Sequence, residues 1–324
     1  DKRVFQPVHA EDLTTEQRRE ALRAINFIKE KGCGRLKGRT CADGRPQRHQ
    51  YPKEQTASPT VSTDALMLSL MIDSFEERDV AAYLLADMDV FTVMKFTGNV
   101  VDMMCEVNKD YEQFVTIENG KRVLYLQLLK ALYGCVRSAL LWYELFSNTL
   151  KGIGFELNPY DPCVANKQIN GRQCTIAWYV DDNKISHVDP TVVTAVIETI
   201  ESKFGKMTVT RGKEHTFLGM RLSFQSNKSV KIEMKEYISE AMVDFQEDTS
   251  HGATTPAKKN LFEVDTDSPL LSNEKSDRFH SIVAKLLYIS KRGRLDIQLT
   301  VAFLCTRVSC CTEQDWSKLK RLLQ

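Results

Sequence analysis

The 324-residue chain reads as an α+β protein. Segments of two-residue alternation are interleaved with segments of helical periodicity along its length. Consecutive strand patterns meet at tight corners, as in WYVDDNKIS, instead of being spaced by the crossover helices of regular βαβ units. A hydrophobic content of 42% supplies the apolar mass for one large core or a few smaller ones, and nothing in the composition points to disorder.

In chain order, the first helix is signalled by Thr14 and Gln17, spaced as a capping box, with Leu13 as a staple. Ala21, Leu22, Ile25 and Ile28 recur on one face and extend that helix to about residue 28. A basic segment follows. Between Lys29 and Lys53 there are eight Lys or Arg against two acids in a stretch rich in Gly and turn residues, read as short strands and an extended loop. Such a patch suits phosphates, or is simply a solvated face. A second helix is expected over 62–75, apolar on most faces and so buried. RDVAAYLL at 78–85 reads as a strand, as do segments around 100–117 and 122–128. The next helix begins near Val136 and stops at Gly152 and Gly154. Asp189 followed by Pro190 starts another, with a buried stripe through Val192, Val193, Val196, Ile197, Ile200 and Phe204 that Gly205 closes. FLGMRLSF, QSNKS and VKIEM make a hairpin followed by a short helix. Residues 247–277, with Pro256, Pro269 and many Ser, Thr and Asp, read as a linker, and three helical patterns fill 279–324.

The longest apolar stretch, ALMLSLMI at 65–72, is far short of the ~18 residues of a membrane span. DKRVFQPVHA lacks a signal-peptide pattern, so an intracellular location is expected. The nine cysteines include no CxxC and are expected to be reduced, mostly buried thiols; net charge is +1.

One stretch carries chemistry. Residues 174–187 have a hairpin pattern with Asp181 and Asp182 at the tip. Asp favours turns, which is the plain reading. The turn, however, has no Gly, and its flanking strands are apolar enough to be buried. Adjacent carboxylates at a buried site call for a cation, and a divalent metal is the simplest one.

Five blocks in order resemble the reverse transcriptase domain of copia-type LTR retrotransposons, close to the subgroup seen in algal genomes. They are KGRTCADGRPQRHQY with ASPTVS, LLKALYGCVRSALLWYELF, WYVDDNKISH, TFLGMRLSF, and RGRLDIQLTVAFLC with DWSKLKRLLQ. The resemblance implies a right-hand polymerase fold. Residues 1–246 would form fingers and palm with a primer-grip hairpin, 247–277 a linker, and 278–324 a helical thumb or connection segment ahead of any RNase H. It implies RNA-directed DNA polymerase activity on an RNA or DNA template-primer with deoxynucleoside triphosphates, within the cytoplasm or retrotransposon particles. It also implies Mg²⁺ or Mn²⁺ held by Asp181 and Asp182. Tyr179 would lie beside the primer end, Phe217, Leu218 and Gly219 would support the primer strand, and Lys37, Arg39 and Gly134 would meet the incoming nucleotide.

The third carboxylate departs from the family pattern. There, an RDVA-like stretch is followed by a few residues and then Asp-Ile-Pro-Gly, an aromatic, and a segment like ADMD. Here Arg78–Ala81 runs directly into AYLLADMD, about six residues shorter, and the missing stretch includes the first catalytic Asp. Asp79 matches a non-catalytic residue and is a poor substitute: it is four positions from Tyr83, so both point to one face of a strand, whereas the family's pair points to opposite faces. Asp87 and Asp89 lie further along. The expectation is therefore a degenerate, inactive copy; the alternative is a non-catalytic nucleic-acid-binding remnant.

Overall fold

The computed structural model describes residues 5–30, 36–49, 52, 56–84, 92–128, 135, 138–180 and 182–324. Strand β1 (Phe5–Val8) precedes helix α1 (Thr15–Glu20), which starts as the sequence predicts. The Gln17 amide donates to the Thr14 hydroxyl at 3.1 Å, and the Thr14 amide donates to the Gln17 side chain at 2.9 Å. The helix stops at Ala21, not near residue 28. The next residues form β2 (Leu22–Glu30), paired antiparallel with β3 (Leu36–Ala42) and parallel with a strand 70 residues on. Ile25, Phe27 and Ile28 are β-branched or aromatic and favour a pleated ladder, and Ile28 is 73% exposed, so the helical spacing had no core to face.

Helix α2 (Thr63–Phe75) is capped by the Ser62 hydroxyl, which accepts from the Ala65 amide at 3.1 Å. It is less buried than its apolar sequence predicts. Leu66 and Leu70 reach the core, while Leu68, Met71 and Phe75 line an exposed stripe. After β4 (Asp79–Leu84) and β5 (Thr92–Thr97), residues expected to be extended from 100 instead form α3 (Asn99–Val107). Gly98, at φ +68, turns the chain into it, and Val101 and Cys105, four apart, bury one face. Only from Val115 is the chain extended, as β6 (Val115–Glu118) and β7 (Lys121–Leu128).

Next come α4 (Ser138–Gly152), β8 (Glu156–Leu157), β9 (Val164–Ile169), β10 (Arg172–Tyr179), β11 (Asp182–His187) and α5 (Pro190–Phe204). The Asp189 carboxylate accepts the Thr191 amide at 2.8 Å at the start of α5, and Gly205 closes the helix at φ +84. Strands β12 (Thr208–Arg211), β13 (Glu214–Phe217), β14 (Met220–Phe224) and β15 (Val230–Glu233) lead to α6 (Lys235–Phe245). Residues 246–272 carry no helix or named strand, although Leu261 and Leu271 are buried and Leu270 bridges Thr312. The chain finishes in α7 (Asn273–Ser290), α8 (Gln298–Cys305) and α9 (Glu313–Leu323).

Among the described residues these strands form three sheets. The first has order β1-β7-β5-β2-β3 with β6 beside β7, the second β12-β4-β11-β10-β9-β8, and the third β13-β14-β15. The mixture of helices and mainly antiparallel sheets is the α+β class expected. The second sheet, α4, α5, the third sheet and the C-terminal helices share one apolar cluster, from Trp142, Phe146 and Trp178 to Phe245, Phe279 and Trp316. The first sheet has two small clusters of its own, around Met94 and Leu124 and around Val93 and Tyr125. No cysteine among the described residues forms a disulfide, and burial pushes the Cys163 and Cys174 thiols up to about 12. No described helix is long and apolar enough to cross a membrane.

Candidate nucleic-acid site

Strands β10 and β11 are the predicted hairpin, with its corner one residue earlier than the sequence suggested. Tyr179 pairs with Asp182, so Asp182 opens the return strand instead of sharing the tip. Asp181 lies outside the described residues. Val180 sits at φ +55, a left-handed conformation that costs a β-branched residue steric energy. The Trp142 indole of α4 holds this corner, donating to the Val180 carbonyl at 2.6 Å while stacking on Phe146 at 5.4 Å. Directly opposed residues share a sheet face, so Tyr179 and Asp182, both half-buried, project together.

On the other side of β11 lies β4. Asp182 pairs with Leu84, Lys184 with Ala82 and His187 with Asp79. Asp79 is therefore five positions from the residue facing Asp182, or ~17 Å along the strand. Its carboxylate is already engaged: Arg211 of β12 donates to it at 3.0 Å and to the Thr194 hydroxyl at 2.9 Å. Asp87 and Asp89 lie outside the described residues.

Below the tip, the same face of the sheet is closed by α2 over a buried ionic cluster. Lys184 contacts Asp73 and donates to the Ser69 hydroxyl at 2.8 Å. Arg78 lies 3.7 Å from Asp73, 2.9 Å from Glu76 and 3.1 Å from the Thr175 hydroxyl. Buried charges persist only with such partners.

Beside the hairpin, a cleft of about 370 Å³ runs from Asp182 and Ala82 past Thr208 and Thr210 to His215, Phe217 and Arg221. Phe217 ends β13 and is buried, whereas Leu218 and Gly219, at φ +50 and +70, form the two-residue turn into β14. Both positive φ values match the right-handed twist of a hairpin. His215 is buried, with Nε2 2.7 Å from the Gly212 carbonyl, and burial lowers its pKa from the usual 6.5.

Lys37 and Arg39 lie on β3, opposite Lys29 and Phe27 in β2; their side chains and Gly134 lie outside the described residues. Nearby, Asp43 and Arg45 form a two-pronged pair at 2.8 and 2.7 Å, and this hydrogen bonding holds the Asp43 carboxyl down at about 2. No group of three or more His, Cys, Asp or Glu among the described residues could hold a metal ion. The described residues thus do not supply the ligand set of a two-metal centre, and Asp181, the other expected ligand, lies outside them. Sequence reasoning missed Trp142, Asp73 and Lys184; an indole within LLWYELF and a lysine in a strand paired with the apolar run CTIAWYV were the available signals.

Residues 19–259 match the reverse transcriptase (RNA-dependent DNA polymerase) family. The chain belongs to that family. It is 30% identical over 180 residues to a transposon Ty5-1 protein of Saccharomyces cerevisiae, covering 55% of this chain and 56% of that protein. It is 25% identical over 305 residues to the retrovirus-related Pol polyprotein from transposon RE1 of Arabidopsis thaliana, covering 90% of this chain and 19% of the polyprotein. The chain thus spans little more than half of one relative and a fifth of the other. A solved foamy viral protease–reverse transcriptase in complex with double-stranded DNA aligns over 90% of this chain and 44% of its own, at 13% identity and a TM-score of 0.34.

Proposed function

We propose that the chain is the reverse transcriptase domain of a copia-type retrotransposon polyprotein, in a copy that binds template-primer but does not extend it. In this reading the first sheet forms the fingers, the second the palm, the third the primer grip, and the C-terminal helices the thumb or connection. Arg39 and Lys37 supply charge toward phosphates, and Tyr179, with the Phe217–Gly219 turn, borders the primer end. The observation that carries the loss of extension is the register of β4. The position facing Asp182 is Leu84, and Asp79 is far down the strand in an ion pair with Arg211.

The test is fluorescence anisotropy with a labelled template-primer, followed by extension with deoxynucleoside triphosphates and Mg²⁺ or Mn²⁺. Binding is expected to weaken steeply with salt and with Arg39→Ala, while no nucleotide is added. Salt-independent binding, or none, would overturn the nucleic-acid reading, and extension by the unmodified chain would overturn the claim of inactivity.

A further inference from the structure

The C-terminal helices reach the turn beside the hairpin tip. Tyr288 of α7 donates its hydroxyl to the Leu218 carbonyl at 2.6 Å. Its ring stacks on Tyr237 of α6 with centroids 5.2 Å apart at 20°. Tyr237 in turn closes over Gly219, where an added Cβ would sit 2.6 Å from the Tyr237 ring. The turn is therefore held by a hydroxyl at one residue and by a ring edge at the next.

The cluster also carries a cation. The Arg292 guanidinium lies 3.7 Å from the centre of the Tyr288 ring, and one of its terminal nitrogens donates to the Tyr288 carbonyl at 3.2 Å. Its Nε is buried without a hydrogen-bond partner, and no carboxylate among the described residues pairs with it. Phe217, the residue before that turn, lines the same cleft as Asp182, which sets the turn beside the hairpin tip, and burial raises the Tyr288 phenol's pKa against the opposing pull of the Arg292 cation. A cation with no acid partner, a rigid aromatic pair and a fixed turn beside Asp182 suit a nucleic-acid strand end: a phosphate for the guanidinium and a terminal sugar against the turn.

We propose that Tyr288, with Tyr237 and Arg292, is a positioning element for the primer 3′ end, so that the C-terminal helices help set where that end lies. The proposal rests on the template-primer reading above. Tyr288 acts through the Leu218–Gly219 turn; Arg292 meets the strand itself.

The full chain is titrated with two duplexes of equal length and charge, one with a recessed primer 3′ end and one blunt. The unmodified chain is expected to prefer the recessed end. Tyr288→Phe removes only the hydroxyl and is expected to reduce that preference about fivefold, with blunt-duplex affinity little changed and the melting temperature lowered by no more than the loss of one net hydrogen bond. Arg292→Gln should weaken the recessed complex and lower its salt dependence by about one phosphate contact. Full preference retained in Tyr288→Phe, or equal weakening on both duplexes, would overturn the positioning role. The absence of any end preference in the unmodified chain would do the same. If the unmodified chain binds neither duplex, the template-primer reading fails first and this role with it.

Discussion

Inserting Val-Val-Asp-Ile-Pro-Gly between Ala81 and Ala82 tests the link between strand register and chemistry. Ala81 keeps its pairing with Ile185, the two inserted valines face Lys184 and Asn183, and the Asp arrives opposite Asp182. Opposed residues have Cα atoms ~4.5–5.5 Å apart, against ~17 Å along the strand for Asp79. Carboxylates that share ions ~3.5–4 Å apart must lie within a few ångströms of one another, so only the inserted residue qualifies. Six is an even number, so every later side chain keeps its face, and the Pro falls beyond both ladders, where no amide is needed. Supplying a missing ligand of this kind is worth several kcal/mol, or ~10³ or more in rate. The assay is single-nucleotide addition to a labelled primer with Mg²⁺, with an otherwise identical insert carrying Asn as the control. Equal rates for the Asp and Asn inserts, or robust addition by the unmodified chain, would refute the reasoning.

Other expectations follow from the packing around the hairpin. Asp73→Ala strands Lys184, whose side chain is 2% exposed, without its carboxylate. It should cost about 3–5 kcal/mol in urea unfolding, and a loss below about 1 kcal/mol would show the pair to be dispensable. Trp142→Phe keeps the stack on Phe146 but removes the donor to Val180. A cost of about 1 kcal/mol is expected, with faster amide exchange at residues 179–183, and unchanged exchange would separate the indole from the turn. His215 is neutral more readily in the fold than when unfolded, because burial depresses its pKa. Its contribution is present above the unfolded value of 6.5 and is lost as pH falls from there toward the folded value, so His215→Gln should flatten stability across that window. A pH profile identical to that of the parent would count against it.

Local signals were legible in the sequence. The Thr14–Gln17 box, the Asp189–Pro190 start and the pairing of WYV with DNKIS as a hairpin each depend on neighbours within a few positions, and the structure builds all three, the hairpin with its register one residue earlier than read. What failed depended on distant partners. Leu22–Ile28 satisfies both a helical and a strand period, and only pairing with β3 and β5 decides between them. Val100–Val107 was ambiguous in the same way until packing selected the helix. The site shows the same division: WYVDDNKIS is a visible motif, whereas Asp73 meets Lys184 across 111 positions and Tyr288 meets Leu218 across 70, beyond any periodicity.

The separation of the apolar clusters bears on how the molecule comes apart. The first sheet closes over its own small clusters, while the second sheet, the third and the terminal helices draw on a common one. Opening events should therefore fall into two cooperative units of unequal free energy. Amides of β5 and β7 would lose protection at low denaturant, while those of β10, α5 and α7 would exchange together near the global limit. The Tyr179–Asp182 corner belongs to the more durable unit, so its shape should outlast the melting of the basic β2–β3 hairpin.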